Sequence, residues 1–241
     1  GIGCSGNMVH MLEKEQPFGI HGIHGRSLPI SMGIKMGNPE LNVIVVAGDG
    51  DFLGIGAEHI GPQAMRNLDV TAVVMDNGVY GLTKGQSSPT TDLGVVTSST
   101  PYGKLEEKTH PLRSYLTMGA TFIGSAISSK VKDMTDIMYD AMGHEGFSIV
   151  HVQSPCTEYN NTYEALKGNV KKGIQPLAYD IPDGHDPEDI EAAQDLVNAD
   201  GIPLGIIFRD RSRPSFDQRV SQTTGIKEMK SIESLLDGFA I

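Results

Sequence analysis

Two polar residues that follow apolar runs of the chain could together bind a hard metal ion. Asp49 stands just after the run LNVIVVA at 41–47, and Asn77 just after the run VTAVVM at 70–75. Carboxylate and amide oxygens are ligands that Mg²⁺ accepts, together with phosphate oxygens. Glycines flank Asp49 on both sides and allow a phosphate to approach the main chain closely. The pattern therefore predicts a site that holds a diphosphate through a metal ion.

The two apolar runs are short and rich in β-branched residues, which is typical of buried strands in a parallel sheet. Between them, residues 52–67 predict a helix, so that the three elements form one right-handed βαβ unit. In open sheets of this kind, ligands bind beyond the carboxyl ends of the strands. We therefore expect Asp49 and Asn77 to lie close together at that edge.

Helices and strands continue to alternate downstream. The pattern predicts helices at Pro111–Met118 and Val131–Met142, and strands at Ala120–Ser125 and Phe147–Gln153. This alternation predicts an α/β fold with a doubly wound, mostly parallel sheet. The Ser-, Thr- and Pro-rich stretch Gln86–His110 has no apolar period, and a loop of this length is usually functional or contacts a partner.

The pattern loosens in the C-terminal part of the chain. We assign residues 1–170 to the α/β domain and 171–241 to an extension, with an acidic helix near 187–199 and a strand near 203–208, for which we expect contacts between subunits. The net charge of −11 disfavours partners such as nucleic acid or an anionic membrane. No apolar run reaches the roughly 18–20 residues that span a bilayer, and no signal peptide is visible, so we expect a cytoplasmic protein.

The Gly-Asp-Gly segment at 48–50 has a second interpretation, a plain strand-to-helix turn in which Asp49 is the N-cap. The sequence contains no G-x-x-x-x-G-K-[ST] motif, and a dinucleotide motif would need glycine at the position of Leu53. Residues 1–6 match the dinucleotide spacing, but no strand is visible before them. The metal-held diphosphate is therefore favoured, with the plain turn as its alternative.

The Gly-Asp-Gly segment at 48–50, followed by Asn77, also resembles the thiamine diphosphate fingerprint. In that fingerprint an Asp, an Asn and a main-chain carbonyl two residues after the Asn hold Mg²⁺. The corresponding residues are Asp49, Asn77 and Val79. Three flanking motifs extend this likeness from residue 1 to about residue 165. Together the four segments resemble the β subunit of 2-oxoacid:ferredoxin oxidoreductases. The segments are GIGCSG at 1–6, HGRxxP at 24–29, GDGD at 48–51 and DNGVYGLTKGQxSPT at 76–90.

The resemblance implies a reaction, a cofactor and partners. A 2-oxoacid and coenzyme A would give an acyl-CoA and CO₂, with two electrons passing to ferredoxin and thiamine diphosphate serving as the electron sink. In such enzymes the β subunit binds the diphosphate end of the cofactor, and a separate α subunit supplies the pyrimidine side with its activating glutamate. We therefore assign no catalytic residue to this chain.

The resemblance also implies roles for individual residues. Lys84 would lie near the substrate carboxylate, although a solvated loop lysine is an equal alternative. Asn7 stands where relatives commonly carry a basic residue, which disfavours a dicarboxylic acid such as 2-oxoglutarate unless Arg26 compensates. The expected cofactor contacts are Ile2, Gly3, Cys4, Ser5, His24, Gly50, Asp51, Gly81 and Leu82.

The sequence contains two cysteines, Cys4 and Cys156. By themselves they are typical of free thiols rather than of a disulfide framework. The resemblance implies a second role, as two of the four thiolate ligands of a [4Fe-4S] cluster. We expect the other two cysteines upstream of residue 1, because the chain opens without methionine at what resembles the turn after a strand. The alternative is that this protein lacks the cluster.

Two other functions remain open. Another thiamine diphosphate enzyme, such as a decarboxylase or synthase, would share the metal site but would need neither cysteine. A non-catalytic protein of the same assembly could keep the fold without the cofactor.

Overall fold

An eight-stranded sheet forms the centre of the protein. The computed structural model describes the backbone of residues 2–3, and residues 18–224 and 231–238. The sheet strands are β1 (Ile2–Gly3), β2 (Ile20–His21), β3 (Ile44–Gly48), β4 (Val70–Asp76), β7 (Phe122–Ile127), β8 (Phe147–Gln153), β9 (Ala178–Asp180) and β10 (Ile202–Arg209). Two further short strands, β5 (Val79–Tyr80) and β6 (Gln86–Ser87), form a separate hairpin.

The strand order is β2-β1-β3-β4-β8-β7-β10-β9. Neighbouring strands are parallel except β10, which runs antiparallel to β7. The described helices are α1 (Ser27–Gly37), α2 (Ile60–Arg66), α3 (Pro111–Met118), α4 (Val131–Met142), α5 (Tyr163–Lys167), α6 (Ile190–Asn198), α7 (Phe216–Thr224) and α8 (Ile232–Asp237). The prediction of an α/β fold with a mostly parallel sheet is confirmed.

Helices cover both faces of the sheet. Side chains alternate across a strand, so Ala72 and Val74 join one apolar cluster, which also holds residues of α1, α2, α3 and α6. Val73 points the other way and packs in a cluster with Ile137 and Ala141 of α4. The sheet is therefore buried on two sides, as the continuous apolar runs predict.

Several predicted elements match, and two differ for local reasons. Helices α3 and α4 and strand β8 have the predicted bounds. The strand predicted to start at Ala120 starts at Phe122, because the Ala120 N–H bonds to the Tyr115 carbonyl at 3.1 Å and closes α3. Gly119, with φ of 85°, ends that helix in the left-handed conformation.

The helix predicted over 52–67 is regular only in its second half. A π-helical turn spans Gly50–Ile55, a 3₁₀ turn spans Ala57–His59, and α2 follows. Gly54 breaks the first turn with φ of −86° and ψ of −111°. The irregular start keeps the chain after β3 close to the edge of the sheet.

The C-terminal part of the chain completes the same sheet. The predicted acidic helix is α6, whose N-cap Asp189 accepts the N–H groups of Glu191 and Ala192, and the predicted strand is β10. Helix α1 was not predicted, because its serines and glycines are weak helix formers. Within the described part of the chain, no helix is long and apolar enough to cross a bilayer.

Candidate functional site

Asp49 and Asn77 lie together at the carboxyl ends of β3 and β4. The two strands pair in parallel with Gly48 opposite Met75, so the residues that follow them emerge side by side. The Asn77 N–H donates to Oδ1 of Asp49 at 3.3 Å, and Asp49 is 1% exposed. The structure thus brings together the two residues that the sequence assigns to a metal, with the Asp49 carboxylate against the main chain of Asn77.

The alternative role of Asp49 as a helix N-cap is wrong. Its backbone is already in the right-handed helical region, with φ of −57° and ψ of −43°, and its side chain makes no capping hydrogen bond. The carboxylate turns instead towards Asn77 and Thr90, whose hydroxyl lies 2.8 Å from Oδ2. The Asp49 carboxylate therefore lies at the edge of the sheet, where it could bind a ligand instead of capping a helix.

The turn after β4 is held in one conformation by hydrogen bonds. Gly78, with φ of 68°, donates its N–H to Oδ1 of Asp76 at 2.9 Å. The Val79 N–H donates to Oδ1 of Asn77 at 3.0 Å, and the Asn160 amide donates to the Asn77 carbonyl, also at 3.0 Å. A Cβ atom on Gly78 would lie 2.6 Å from Nδ2 of Asn160, so a side chain here would have to displace the amide that bonds to the Asn77 carbonyl.

Tyr80 packs directly on Gly50. Its hydroxyl donates to the Gly50 carbonyl at 3.0 Å, and a Cβ on that glycine would lie 2.2 Å from Cε1 of the ring. Burial, and then the charges of Asp49 and Asp51, raise the pKa of Tyr80, so its hydroxyl stays protonated as a donor. The absence of a side chain at Gly50 lets the β5 strand close over the turn.

Asp51 connects this turn to the His24–Arg26 segment. Its buried Oδ1 accepts the N–H of Gly25 and lies 3.4 Å from Nδ1 of His24. The ring centroids of His24 and Tyr80 are 6.0 Å apart. The motifs at 24–29 and 48–51, which are distant in sequence, therefore meet in space.

The electrostatics of Asp49 fit a cation. Burial, and then the negative charge of Asp76, raise the pKa of Asp49 to about 6, although hydrogen bonds from Ser88, Thr90 and Asn77 oppose this rise. A bound divalent cation would relieve the cost of that buried charge. The described residues hold no cluster of three or more His, Cys, Asp or Glu side chains suited to a metal. The donor set is the oxygen-rich, mostly neutral one that Mg²⁺ shares with phosphates.

A buried network behind Asp49 was not predicted. His151 Nε2 lies 2.9 Å from Oδ2 of Asp76, and His151 Nδ1 lies 3.1 Å from the Tyr115 hydroxyl. Burial alone would raise the pKa of Asp76, but the interactions with His151 and the hydrogen bonds from Thr90 and Gly78 together outweigh burial, and the pKa is lowered. Burial, then Asp76 and Asp49, hold the pKa of Tyr115 well above its usual value. The only sequence signal was a histidine inside an otherwise apolar strand.

The turn between β5 and β6 carries three other predicted residues. Leu82 is 94% exposed, and Lys84 is exposed with φ of 85°. A Cβ on Gly81 would lie 3.7 Å from Nδ2 of Asn77 and 4.0 Å from Sγ of Cys156. The half-buried free thiol of Cys156 thus lies beside the turn that follows Asn77.

Arg26 contacts the segment after Asp49 rather than an open surface. Its Nη1 lies 3.2 Å from Oε1 of Glu58, 3.3 Å from the Ile55 carbonyl and 2.9 Å from Nε2 of His59. The main chain of Ile2 and Gly3 pairs with Val45 and Val46 of β3, which places their strand next to the site. The predicted residues Cys4, Ser5 and Asn7 lie outside the described part of the chain.

A cavity of about 430 Å³ lies behind the turn after β4. Asp76, Asn77 and Gly78 form one wall, and Lys108, His110 and Arg113 are among the other lining residues. Asp49 and Gly50 do not line it. The cavity is therefore separated from the predicted diphosphate position by the turn itself.

Two family models match the chain. Residues 1–152 match the thiamine pyrophosphate enzyme, C-terminal TPP-binding domain. Residues 158–225 match the C-terminal region of the pyruvate ferredoxin oxidoreductase β subunit.

Similar proteins have consistent names. The β subunit of a 2-oxoacid:ferredoxin oxidoreductase from Saccharolobus solfataricus is 36% identical over 92% of this chain and 75% of its own length. The 2-oxoglutarate synthase subunit KorB from Archaeoglobus fulgidus is 40% identical over 71% of this chain and 65% of its own length. A solved 2-oxoglutarate:ferredoxin oxidoreductase from Magnetococcus marinus, with 2-oxoglutarate, coenzyme A and succinyl-CoA bound, superposes with a TM-score of 0.77. That match has 34% identity and covers 90% of this chain and 74% of the other.

Proposed function

This chain belongs to the family of 2-oxoacid:ferredoxin oxidoreductase β subunits, and from that premise we propose that it holds the diphosphate of thiamine diphosphate through Mg²⁺. The metal ligands would be the Asp49 carboxylate, the Asn77 amide oxygen and the Val79 carbonyl. The observation that carries the proposal is the buried Asp49 carboxylate, which faces Asn77 at the ends of adjacent strands with a pKa raised to about 6.

The other proposed cofactor contacts come from segments that meet around the turn at Asp49. When bound, thiamine diphosphate supplies the electron sink for loss of CO₂ from a 2-oxoacid. Gly50 and Asp51 would lie against the diphosphate, His24 and the segment Ile2–Ser5 along the cofactor, and Gly81 and Leu82 on its far side. The described part of this set is supported by the contacts that join the 24–29, 48–51 and 76–90 motifs.

The whole reaction needs partners that this chain does not supply. We propose that an α subunit provides the pyrimidine side and its activating glutamate, and that the enzyme converts a 2-oxoacid and coenzyme A to acyl-CoA and CO₂ with ferredoxin as electron acceptor. The names of the relatives as β subunits support a hetero-oligomer. Exposed Ile232 and Leu236 on α8 support contacts between subunits in the segment 171–241.

The substrate carboxylate would meet Lys84, with Asn7 and Arg26 as further polar contacts. Lys84 is exposed at the tip of the hairpin turn that also carries Gly81. Arg26 already pairs with Glu58, so it can bind the substrate carboxylate only if its guanidinium contacts Glu58 and the substrate at the same time.

Cys156 and Cys4 are proposed ligands of a [4Fe-4S] cluster that would receive the electrons. The free, half-buried thiol of Cys156 beside Gly81 supports this role. Anaerobically purified enzyme should contain iron, and Cys156→Ser should lower the iron content while Ser154→Ala should not. Wild-type enzyme without iron would favour a thiamine diphosphate decarboxylase or synthase instead.

The metal site is tested by Asp49→Ala in the assembled enzyme. We expect loss of bound thiamine diphosphate and loss of the rise in melting temperature that Mg²⁺ and the cofactor cause, since a ligand of the folded state must stabilise it. Asp136→Ala, which removes an exposed carboxylate on α4, is the matched control. Unchanged cofactor content in Asp49→Ala would refute the assignment, and a wild-type enzyme that the cofactor does not stabilise would indicate a non-catalytic subunit.

A further inference from the structure

We propose that Thr90 is a positioning residue for the metal site, because its hydroxyl fixes the direction in which Asp49 presents its carboxylate. This inference rests on the proposed function, since it concerns the same Mg²⁺. It extends that function to a residue with no part in direct metal or cofactor contact. Thr90 has three relevant neighbours, namely the carboxylates of Asp49 and Asp76 and the ammonium of Lys104 that holds its turn.

The Thr90 hydroxyl lies between two buried carboxylates. Oγ1 is 2.8 Å from Oδ2 of Asp49 and 2.7 Å from Oδ1 of Asp76. A hydroxyl carries one hydrogen, and an ionised carboxylate can only accept, so Thr90 can donate to one of the two at a time. Which carboxylate receives the hydrogen depends on how many other donors each one has.

Asp76 is well supplied with other donors. Its Oδ1 accepts the Gly78 N–H at 2.9 Å, and its Oδ2 faces Nε2 of His151 at 2.9 Å. Because the carboxylate can only accept, that nitrogen must be the donor. Both oxygens of Asp76 are thus held from the core without Thr90, so the Thr90 hydrogen can be donated to Oδ2 of Asp49.

The main chain around Thr90 is fixed from a distant part of the long loop. The ammonium of Lys104, only 5% exposed, donates to the carbonyls of Ser88 at 3.1 Å and Thr91 at 2.8 Å. The Ser88 N–H also donates to Oγ1 of Thr91 at 2.7 Å. The main chain that carries Thr90 is therefore held in place beside Asp49.

Hydrogen bonds from Thr90 and Asn77, with a further one from Ser88, orient the Asp49 carboxylate. Oδ2 accepts from the Thr90 hydroxyl, and Oδ1 accepts from the Asn77 N–H. Hydrogen bonds of this kind orient ligands before the metal arrives, and losing one typically weakens metal binding about 10- to 100-fold. Without the hydroxyl, binding would have to order the carboxylate as well as coordinate it.

The test measures Mg²⁺ affinity by calorimetry in the assembled enzyme at saturating thiamine diphosphate. Thr90→Val should weaken Mg²⁺ binding by about 10-fold or more. Thr90→Ser keeps a hydroxyl and should restore affinity to within about threefold of wild type. Thr135→Val, on the exposed face of α4, removes a hydroxyl far from the site and should leave the Mg²⁺ affinity unchanged.

A second variant guards against misfolding. The valine methyl group faces two carboxylates and could disturb the turn, whereas Thr90→Ala leaves space there and should show the same loss of Mg²⁺ affinity. Mg²⁺ affinity unchanged in Thr90→Ala, or equally weak in Thr90→Ser and Thr90→Val, would overturn the positioning role. In either case the metal site itself would stand if wild type bound Mg²⁺ and Asp49→Ala did not. Wild type that bound no Mg²⁺ would overturn both proposals.

Discussion

The main-chain N–H of Asn77 points at the carboxylate of Asp49 across the ends of two adjacent strands, at 3.3 Å. One metal-ligand candidate thereby helps to hold the other before any metal binds. The negative charge of Asp49 is buried, and the hydrogen bonds that the protein donates to it do not offset the full cost of burial. Its consequences can be measured in the presence and in the absence of the metal.

Asp49→Asn should make the metal-free enzyme more stable at pH 8. The pKa of Asp49 is about 6 in the folded protein against an ordinary value of 3.8, so the folded state binds the proton more tightly. The stability from this group is present below pH 3.8 and lost as the pH rises through 6, at a cost of about 3 kcal/mol. We expect a higher melting temperature for Asp49→Asn at pH 8, with a difference that narrows from pH 6 towards pH 4. A lower melting temperature at pH 8 would contradict this account.

The affinity for Mg²⁺ should depend on the same group. Protons and Mg²⁺ compete for the Asp49 carboxylate, so affinity should rise with pH up to about 6 and level off above it. Calorimetry in two buffers of different ionisation enthalpy measures the proton released on binding. Asp49→Asn should lack this release, which separates it from the titration of the cofactor phosphate. Equal proton release in both proteins would show that Asp49 is not the competing group.

Gly50→Ala should weaken cofactor binding. The new Cβ would lie 2.2 Å from Cε1 of Tyr80, so the ring must move and release the Gly50 carbonyl. Overpacking of this kind costs about 1–3 kcal/mol. Gly33→Ala is the control, because nothing lies within 4 Å of its Cβ position in α1, and it should stabilise the protein by up to about 1 kcal/mol. Melting temperatures with and without thiamine diphosphate distinguish the two, and a Gly50→Ala enzyme that kept full cofactor affinity would contradict the packing.

Gly78→Ala should lower the stability of the protein by more than the backbone strain at this position, because the new methyl group also displaces a neighbour of Asn77. Gly78 has φ of 68°, and its Cβ would lie 2.6 Å from Nδ2 of Asn160. Gly184, with φ of 94°, has nothing within 4 Å of its Cβ position, so Gly184→Ala measures the strain, about 1–2 kcal/mol, without the contact. We expect a larger fall in melting temperature for Gly78→Ala and weaker Mg²⁺ binding.

The contact is checked by a double-mutant cycle. Asn160→Ala makes room for the new methyl group and should recover part of the stability lost in Gly78→Ala. Purely additive effects would show that the amide of Asn160 is not what the methyl group meets.

Much of the architecture could be predicted from local patterns. The apolar runs before Asp49 and Asn77 are continuous because both faces of the sheet are covered, so they indicated neighbouring parallel strands. Parallel pairing then brings their ends together without further information. Elements with strong apolar periods, such as α4, had the correct bounds.

What could not be predicted depends on contacts distant in sequence. His151 reads as one polar residue in an apolar strand, and only the fold shows that it faces Asp76 from the adjacent strand. Lys104 reads as a solvated loop lysine until the loop closes over it. The antiparallel pairing of β10 with β7 likewise leaves no local mark, since a strand of this composition can pair in either direction.

Asn160 gives the site one mechanical property that no single ligand supplies. Its main-chain N–H donates to the Cys156 carbonyl at 2.9 Å, and its side-chain amide donates to the Asn77 carbonyl at 3.0 Å. It therefore links the segment that carries the Cys156 thiol to the turn that carries Asn77, the proposed magnesium ligand. In the proposed enzyme the cluster and the cofactor would lie on these two segments, and a separation held by Asn160 would keep the distance for electron transfer between them constant.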